Sequence, residues 1–199
     1  MKDKIDFALL KGAYADADFG RKLNTAKGCR SVCVHPTRAY YASRFTETPI
    51  STVIGFPFGA SFCKLDEAKA VFAWTNEFDV VWDSSEFINR KYIVVLSQLS
   101  AIVKLGKPVK VIVPGVEYLP VKFIKTAYNV VQDSGAFCIK SLTTEGEMNY
   151  HLLSVWLGMG NLKIKCAGGI NSYNLAKTLI GCGADIIGTG TLYPEFTNE

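Results

Sequence analysis

The stretch Ile5-Asp6-Phe7-Ala8-Leu9-Leu10 decides the fold of this chain, because it decides whether the strands number seven or eight. Its apolar spacing suits a strand over residues 5–9, but Phe7-Ala8-Leu9-Leu10 alone suits a helix equally well. Downstream the pattern is plainer. Short runs rich in β-branched or aromatic residues recur at 31–34, 51–55, 78–82, 109–113, 137–140, 162–166 and 185–188. None shows a clean polar alternation, which predicts parallel strands covered on both faces. Helical spacing marks 65–77, with its DEAKAVFAW core, and 86–105, which Gly106 and Pro108 terminate. It also marks 118–134, 145–158 and 172–180. This β/α alternation runs from near residue 5 to near residue 190 without a linker, so residues 1–199 are read as a single compact domain. Eight strands make a closed (β/α)8 barrel, and 199 residues lie at its lower length limit. Seven or fewer leave an open doubly wound sheet, whose early Gly-X-Gly-X-X-Gly fingerprint is missing. Periodicity leans to the barrel and leaves the count to the first strand.

Composition narrows the chemistry. Lysine and arginine number 22 against 18 acidic residues, a net charge of +4 with no basic arm; Lys104, Lys107 and Lys110 are its largest local group. No nucleic-acid partner is expected from that balance, whereas a small anionic ligand is compatible with it. The six cysteines (29, 33, 63, 138, 166 and 182) mostly sit in or beside apolar runs, as in SVCV and AFCIK. With no signal peptide expected ahead of them, they read as reduced thiols of a cytoplasmic protein. Two histidines and no Cys-X-X-Cys give no basis for a metal site. No apolar stretch approaches the length of a membrane span.

The informative residues are charges set in apolar strands. Asp79 interrupts EFDVVW, Lys110 sits in KVIV, Lys140 ends AFCIK, and Lys165 ends LKIK before Cys166-Ala167-Gly168-Gly169. An ionised group there is costly unless paired, solvated or placed in a cleft. A barrel gathers the carboxyl ends of its strands around one mouth, so one arrangement accounts for all of them. Each alone has a plainer explanation. The terminal lysines are solvated loop residues, Asp79 caps a turn, Lys110 extends its ammonium to solvent, and Asp6 is an ordinary first-element carboxylate. Gly168-Gly169 and Gly188-Thr189-Gly190-Thr191 follow what would be strands seven and eight, where turn amides hold phosphate.

In order, IDFALLK, SVCVHP, STVIGFPFGAS, FDVVW, KVIV, FCIKSLT, KIKCAGGIN and ADIIGTG resemble the deoxyribose-phosphate aldolase family, Schiff-base-forming class I aldolases, over about nine-tenths of the chain. That resemblance implies a TIM barrel and reversible cleavage of 2-deoxy-D-ribose 5-phosphate to D-glyceraldehyde 3-phosphate and acetaldehyde. It implies that Lys140 is the Schiff-base lysine, Lys165 the second active-site lysine and Asp79 the proton-relay acid. Asp6, Lys110, Cys33 and Thr143 are then supporting residues, and Gly168, Gly169, Gly188 and Gly190 hold the phosphate. A second ammonium and partial desolvation would keep Lys140 neutral and nucleophilic. The iminium is itself the electron sink, so no metal, nicotinamide or pyridoxal cofactor is expected. Expected partners are the phosphorylated deoxysugar, small aldehydes and, because barrels often associate, further copies of the chain.

Several positions depart from the family pattern. Phe7 and Ala8 replace its His-Thr, Pro114-Gly115 replaces an acid and a hydroxyl at the end of strand five, and Thr144 stands where a glycine follows the lysine strand. A related aldolase acting on another phosphorylated substrate, and a non-catalytic barrel binding a phosphometabolite, are the competing accounts. Cys33 reads as small apolar packing as readily as an aldehyde-reactive thiol. His35 reads as a solvated turn residue, and Phe56, Phe58 and Phe62 as residues shaping the mouth.

Overall fold

A computed structural model describes residues 1–10, 14–142 and 148–192, and in it the opening stretch is a strand. Eight parallel strands follow one another round a closed barrel: β1 (Ile5–Leu9), β2 (Ser31–Val34), β3 (Ile50–Ile54), β4 (Glu77–Val81), β5 (Val109–Ile112), β6 (Cys138–Lys140), β7 (Lys163–Ala167) and β8 (Ile186–Thr189). β1 pairs with β2 on one side and β8 on the other, with Asp6 level with both Ser31 and Gly188. The segment that was ambiguous as a sequence is therefore the stave that closes a TIM barrel.

Helices α1 (Asp16–Thr25), α2 (Pro36–Phe45), α3 (Lys64–Val71), α4 (Ser84–Ile88), α5 (Tyr92–Val103), α6 (Val121–Asp133), α7 (Tyr150–Leu157) and α8 (Tyr173–Gly181) connect the strands. One large apolar cluster joins them to the outward strand residues, among them Ile5, Phe7, Leu9, Phe78, Val80, Val109, Val111, Ile139 and Ile164. The strands do alternate, contrary to the sequence reading, but inversely. Their apolar positions face the helices, while Asp6, Glu77, Asp79, Lys110, Lys140 and Lys165 face one another across the interior. The polar half is as buried as the apolar half, so no solvent-facing side marks the period.

Some boundaries differ from expectation for local reasons. The helix expected over 65–77 stops at Val71 and a 3-10 turn, because Glu77 already belongs to β4. The helix expected over 86–105 is two: α4, whose first turn is capped by Asp83 accepting from the Glu86 amide at 3.1 Å, and α5. Arg90 between them takes φ 60°, which no helix accommodates. Pro120 is the N-cap of α6, so that helix starts after it rather than at 118. α7 begins behind an Asn149 cap; residues 145–147 of the helix expected at 145–158 lie outside the described residues. No described helix is long and apolar enough to cross a membrane.

Candidate active site

Five strands bring their charges to one place inside the barrel. Asp79 is the hub: Oδ2 accepts from Lys140 Nζ and Lys165 Nζ, both at 2.9 Å. Its Oδ1 lies 2.8 Å from Lys110 Nζ and accepts from the Ser51 hydroxyl at 2.9 Å. Asp6 Oδ2 accepts from Lys110 at 2.7 Å and from Lys165 at 2.6 Å. Strand register sets this up, since Lys140 is level with Lys165 and Asp79 with Lys110 on adjacent strands. Lys140, Lys165, Asp79, Lys110 and Asp6, expected from five separate segments, thus form one buried cluster.

Sequence reasoning missed three members. Glu77 Oε1 accepts from Lys110 at 2.5 Å, and Arg30, just before β2, reaches both Glu77 and Asp6. Ser51 also accepts from Lys110 at 3.0 Å. Glu77 lies two positions before Asp79 on the same strand face, a period-two signal hidden by its assignment to the preceding helix. Arg30 lies outside any strand and carried no such signal.

The two lysines sharing Asp79 Oδ2 are driven in opposite directions. Burial pushes Lys140 down, Asp79 opposes this, the positive charge of Lys165 adds to it, and the amine lies below the ordinary lysine value. Burial also pushes Lys165 down, but Asp6 and Asp79 outweigh it and hold the ammonium above that value. Lys110 is held well above it in the same way, by Asp6, Asp79 and Glu77. Burial would raise Asp6 and Asp79, yet the surrounding cations keep both carboxyls well below the carboxylate range. The cluster therefore holds one amine whose proton is disfavoured, by burial first, among cations whose protons are favoured. Cys33 Sγ lies 3.8 Å from Asp79 Oδ2 and packs with Leu10 and Val53; burial and then Asp79 push its thiol up to about 11. That environment suits packing rather than nucleophilic sulfur.

Around this cluster, the glycine segments divide. Gly168 and Gly169, at φ 95° and 65°, form the turn after β7, and Gly190 is exposed just past β8. The Thr189 hydroxyl lies 2.9 Å from the Ile170 carbonyl and 3.1 Å from that of Thr191, so it joins the two turns. Gly188, expected both to end the last strand and to open the turn after it, lies within β8, buried, because that strand extends through Thr189. A Cβ there would stand 3.0 Å from Lys165 Cε, so its bare backbone makes room for the lysine stem. Thr143 and Thr144 lie outside the described residues. His35 is half-buried, not a solvated turn residue: Nε2 is 3.2 Å from the Leu10 carbonyl and its ring meets Phe56 edge-on. Phe56 packs on the Cys33–Val53 cluster, whereas Phe58 and Phe62 are exposed.

A buried lysine amine held below its ordinary value, beside an ammonium held above it and a carboxylate, at the carboxyl end of a parallel barrel strand, suits Schiff-base chemistry. Comparison with known proteins agrees. A deoxyribose-phosphate aldolase of Dictyoglomus turgidum is 32% identical, over 96% of this chain and 93% of its own. The structure of QR15, an aldolase, superposes with a TM-score of 0.90 at 31% identity, covering 95% of this chain and 90% of that one. The tetrameric deoxyribose phosphate aldolase of Aeropyrum pernix superposes with a TM-score of 0.83 at 30% identity, covering 95% and 86%. No family model matches the chain. On this likeness, the chain belongs to the deoxyribose-phosphate aldolase family.

Proposed function

We propose that the protein is a class I aldolase that reversibly cleaves 2-deoxy-D-ribose 5-phosphate to D-glyceraldehyde 3-phosphate and acetaldehyde through a Schiff base on Lys140. One observation carries this reading. Two amines contact the same Asp79 oxygen at 2.9 Å, and only that of Lys140 lies below the ordinary lysine range.

The neutral Lys140 amine adds to the aldehyde carbon of the open-chain sugar, and loss of water leaves a protonated iminium. Asp79, directly or through water, accepts the proton of the C3 hydroxyl as the C2–C3 bond breaks. The bonding pair moves into the iminium, giving an enamine, and glyceraldehyde 3-phosphate departs. Return of the proton to the enamine carbon and hydrolysis then release acetaldehyde and regenerate the amine. Lys165 stays charged, which keeps Lys140 neutral; Lys110 and Asp6 hold the surrounding charges in place. The iminium supplies the electron sink, so the chemistry calls for no metal or organic cofactor. Amides of Gly168, Gly169 and Gly190 are the phosphate donors in this scheme, with Gly188 accommodating Lys165.

The same reading takes residues 1–199 as one domain of a cytoplasmic homo-oligomer. Six free thiols and the tetrameric Aeropyrum pernix relative support those two assignments. Borohydride reduction with acetaldehyde, followed by peptide mass analysis, is expected to leave a two-carbon adduct on the Lys140 peptide. Adduct solely on the Lys165 peptide, or none at any pH, overturns the mechanism. Cleavage of other phosphorylated sugars in preference to deoxyribose 5-phosphate overturns the substrate and leaves Lys140 standing.

A further inference from the structure

We propose that Arg30 and Glu77 are positioning residues that tune Lys140 from the far end of the barrel, by fixing the net charge of its interior. This rests on Lys140 being the Schiff-base residue. The Arg30 guanidinium is the only cation of the described network with appreciable exposure, its side chain being 25% exposed. Nη1 donates to Asp6 Oδ1 at 2.8 Å and to Glu77 Oε1 at 2.8 Å, and Nη2 donates to Glu77 Oε2 at 2.7 Å. Both carboxylates then pass to Lys110, which also lies 2.8 Å from Asp79 Oδ1. A continuous chain of ion pairs therefore joins Arg30 to the amine of Lys140.

The charges balance only with Arg30 included. With Lys140 neutral, Arg30, Lys110 and Lys165 face Asp6, Glu77 and Asp79, three cations against three anions. The groups facing Lys140 itself are Asp79 on β4, Lys165 on β7 and the Cys33 thiol on β2; Asp6, Lys110 and Glu77 stand behind them. Loss of the Arg30 charge leaves one anion in excess, which a proton on Lys140 would neutralise. Loss of the Glu77 charge leaves one cation in excess and opposes that proton. In a low-dielectric interior such an imbalance is felt beyond immediate neighbours.

The test is the pH dependence of acetaldehyde trapping at Lys140, with cyanoborohydride as reductant and the folded fraction of each variant checked by thermal unfolding. Arg30→Gln is expected to move the midpoint upward by about one pH unit, and Glu77→Gln to move it downward by a similar amount. Arg30→Lys keeps the charge and is expected to hold the wild-type midpoint. The double variant Arg30→Gln/Glu77→Gln restores the balance and is expected to return to it. Midpoints that stay put in both single variants, or move the same way in both, overturn the inference. Absence of trapping at Lys140 in the wild type instead overturns the Schiff-base assignment on which it rests.

Discussion

Lys140, the Schiff-base residue proposed above, would set function against stability at one residue. It is buried, the one described hydrogen bond of its amine goes to Asp79, and that amine is held below the ordinary lysine value, first by burial. The unfolded chain therefore binds the Lys140 proton more tightly than the folded one. The resulting cost is full below the folded value and disappears as pH rises past the unfolded value near ~10.4. Lys140→Met is accordingly expected to abolish aldehyde trapping yet stabilise the protein by about 1 kcal/mol at pH 7. Asp79 would keep Lys110, Lys165 and Ser51 as partners. Thermal unfolding checks this, with the gain shrinking when the scan is repeated near pH 10; a less stable variant at pH 7 refutes it. At this scale the sequence was legible where a charge interrupted an apolar run, as at Asp79, Lys110 and Lys140. It was illegible where the charge sat at a boundary. Glu77 fell at the end of the helix expected over 65–77, and Arg30 fell just outside the strand expected over 31–34.

The loop from β3 to α3 shows what an element needs to hold its place beside the site. The Gly55 amide donates to Glu67 Oε2 at 2.7 Å, and the Gly59 amide donates to the Gly55 carbonyl at 2.7 Å. The buried Lys64 ammonium donates to the Gly59 carbonyl at 2.6 Å and to that of Val81 at 3.3 Å. Gly59 has φ 72°, and a Cβ there would stand 1.7 Å from the Trp82 carbonyl oxygen, so the loop backbone lies directly against the end of β4. Gly59→Ala is expected to cost more than about 2 kcal/mol in urea unfolding. Gly106→Ala, also at positive φ but with nothing within 4 Å, is expected to cost only the conformational ~1 kcal/mol. Equal costs would show that backbone conformation, not contact with β4, constrains the loop. Element boundaries were legible where side chains punctuate the chain: Ser172 caps α8 and Gly106 follows α5, whereas α1 and α2 were not read from the sequence. The break at Arg90 was not legible, because no glycine or proline marks it.

At the scale of the whole molecule, the barrel interior is an ionic core wrapped in an apolar one. Asp6 and Asp79 are held well below the carboxylate range, where burial would raise them but the cations prevail. Their contribution to stability is fully present above the unfolded carboxylate value near ~3.9 and is lost as pH falls through the folded values. The barrel is therefore expected to persist at pH 4 and to unfold cooperatively only below about pH 3. Because buried pairs are little screened, 1 M salt should move that transition little. Circular dichroism across an acid titration checks both; unfolding already centred near pH 4 refutes the assignment. The alternation of β and α segments made the barrel legible, but the sequence pattern left its closure open at residues 5–10. β1 completes the ring by pairing with β2 on one side and, far along the chain, with β8 on the other.

That separation has a consequence for how the protein is made. Asp6 and Lys165, which share a hydrogen bond, lie 159 positions apart. At roughly 5–20 residues per second, a ribosome takes on the order of 10 s or more to produce the second after the first. Throughout that interval the Asp6 carboxylate lacks this partner, and β1 lacks the β8 edge that it will finally meet. The charge cluster around Asp79 and Asp6 is thus complete only after β7 has been made, and the ring only after β8. A chain that ends before β7 therefore carries Lys140 and Asp79 without Lys165 beside them.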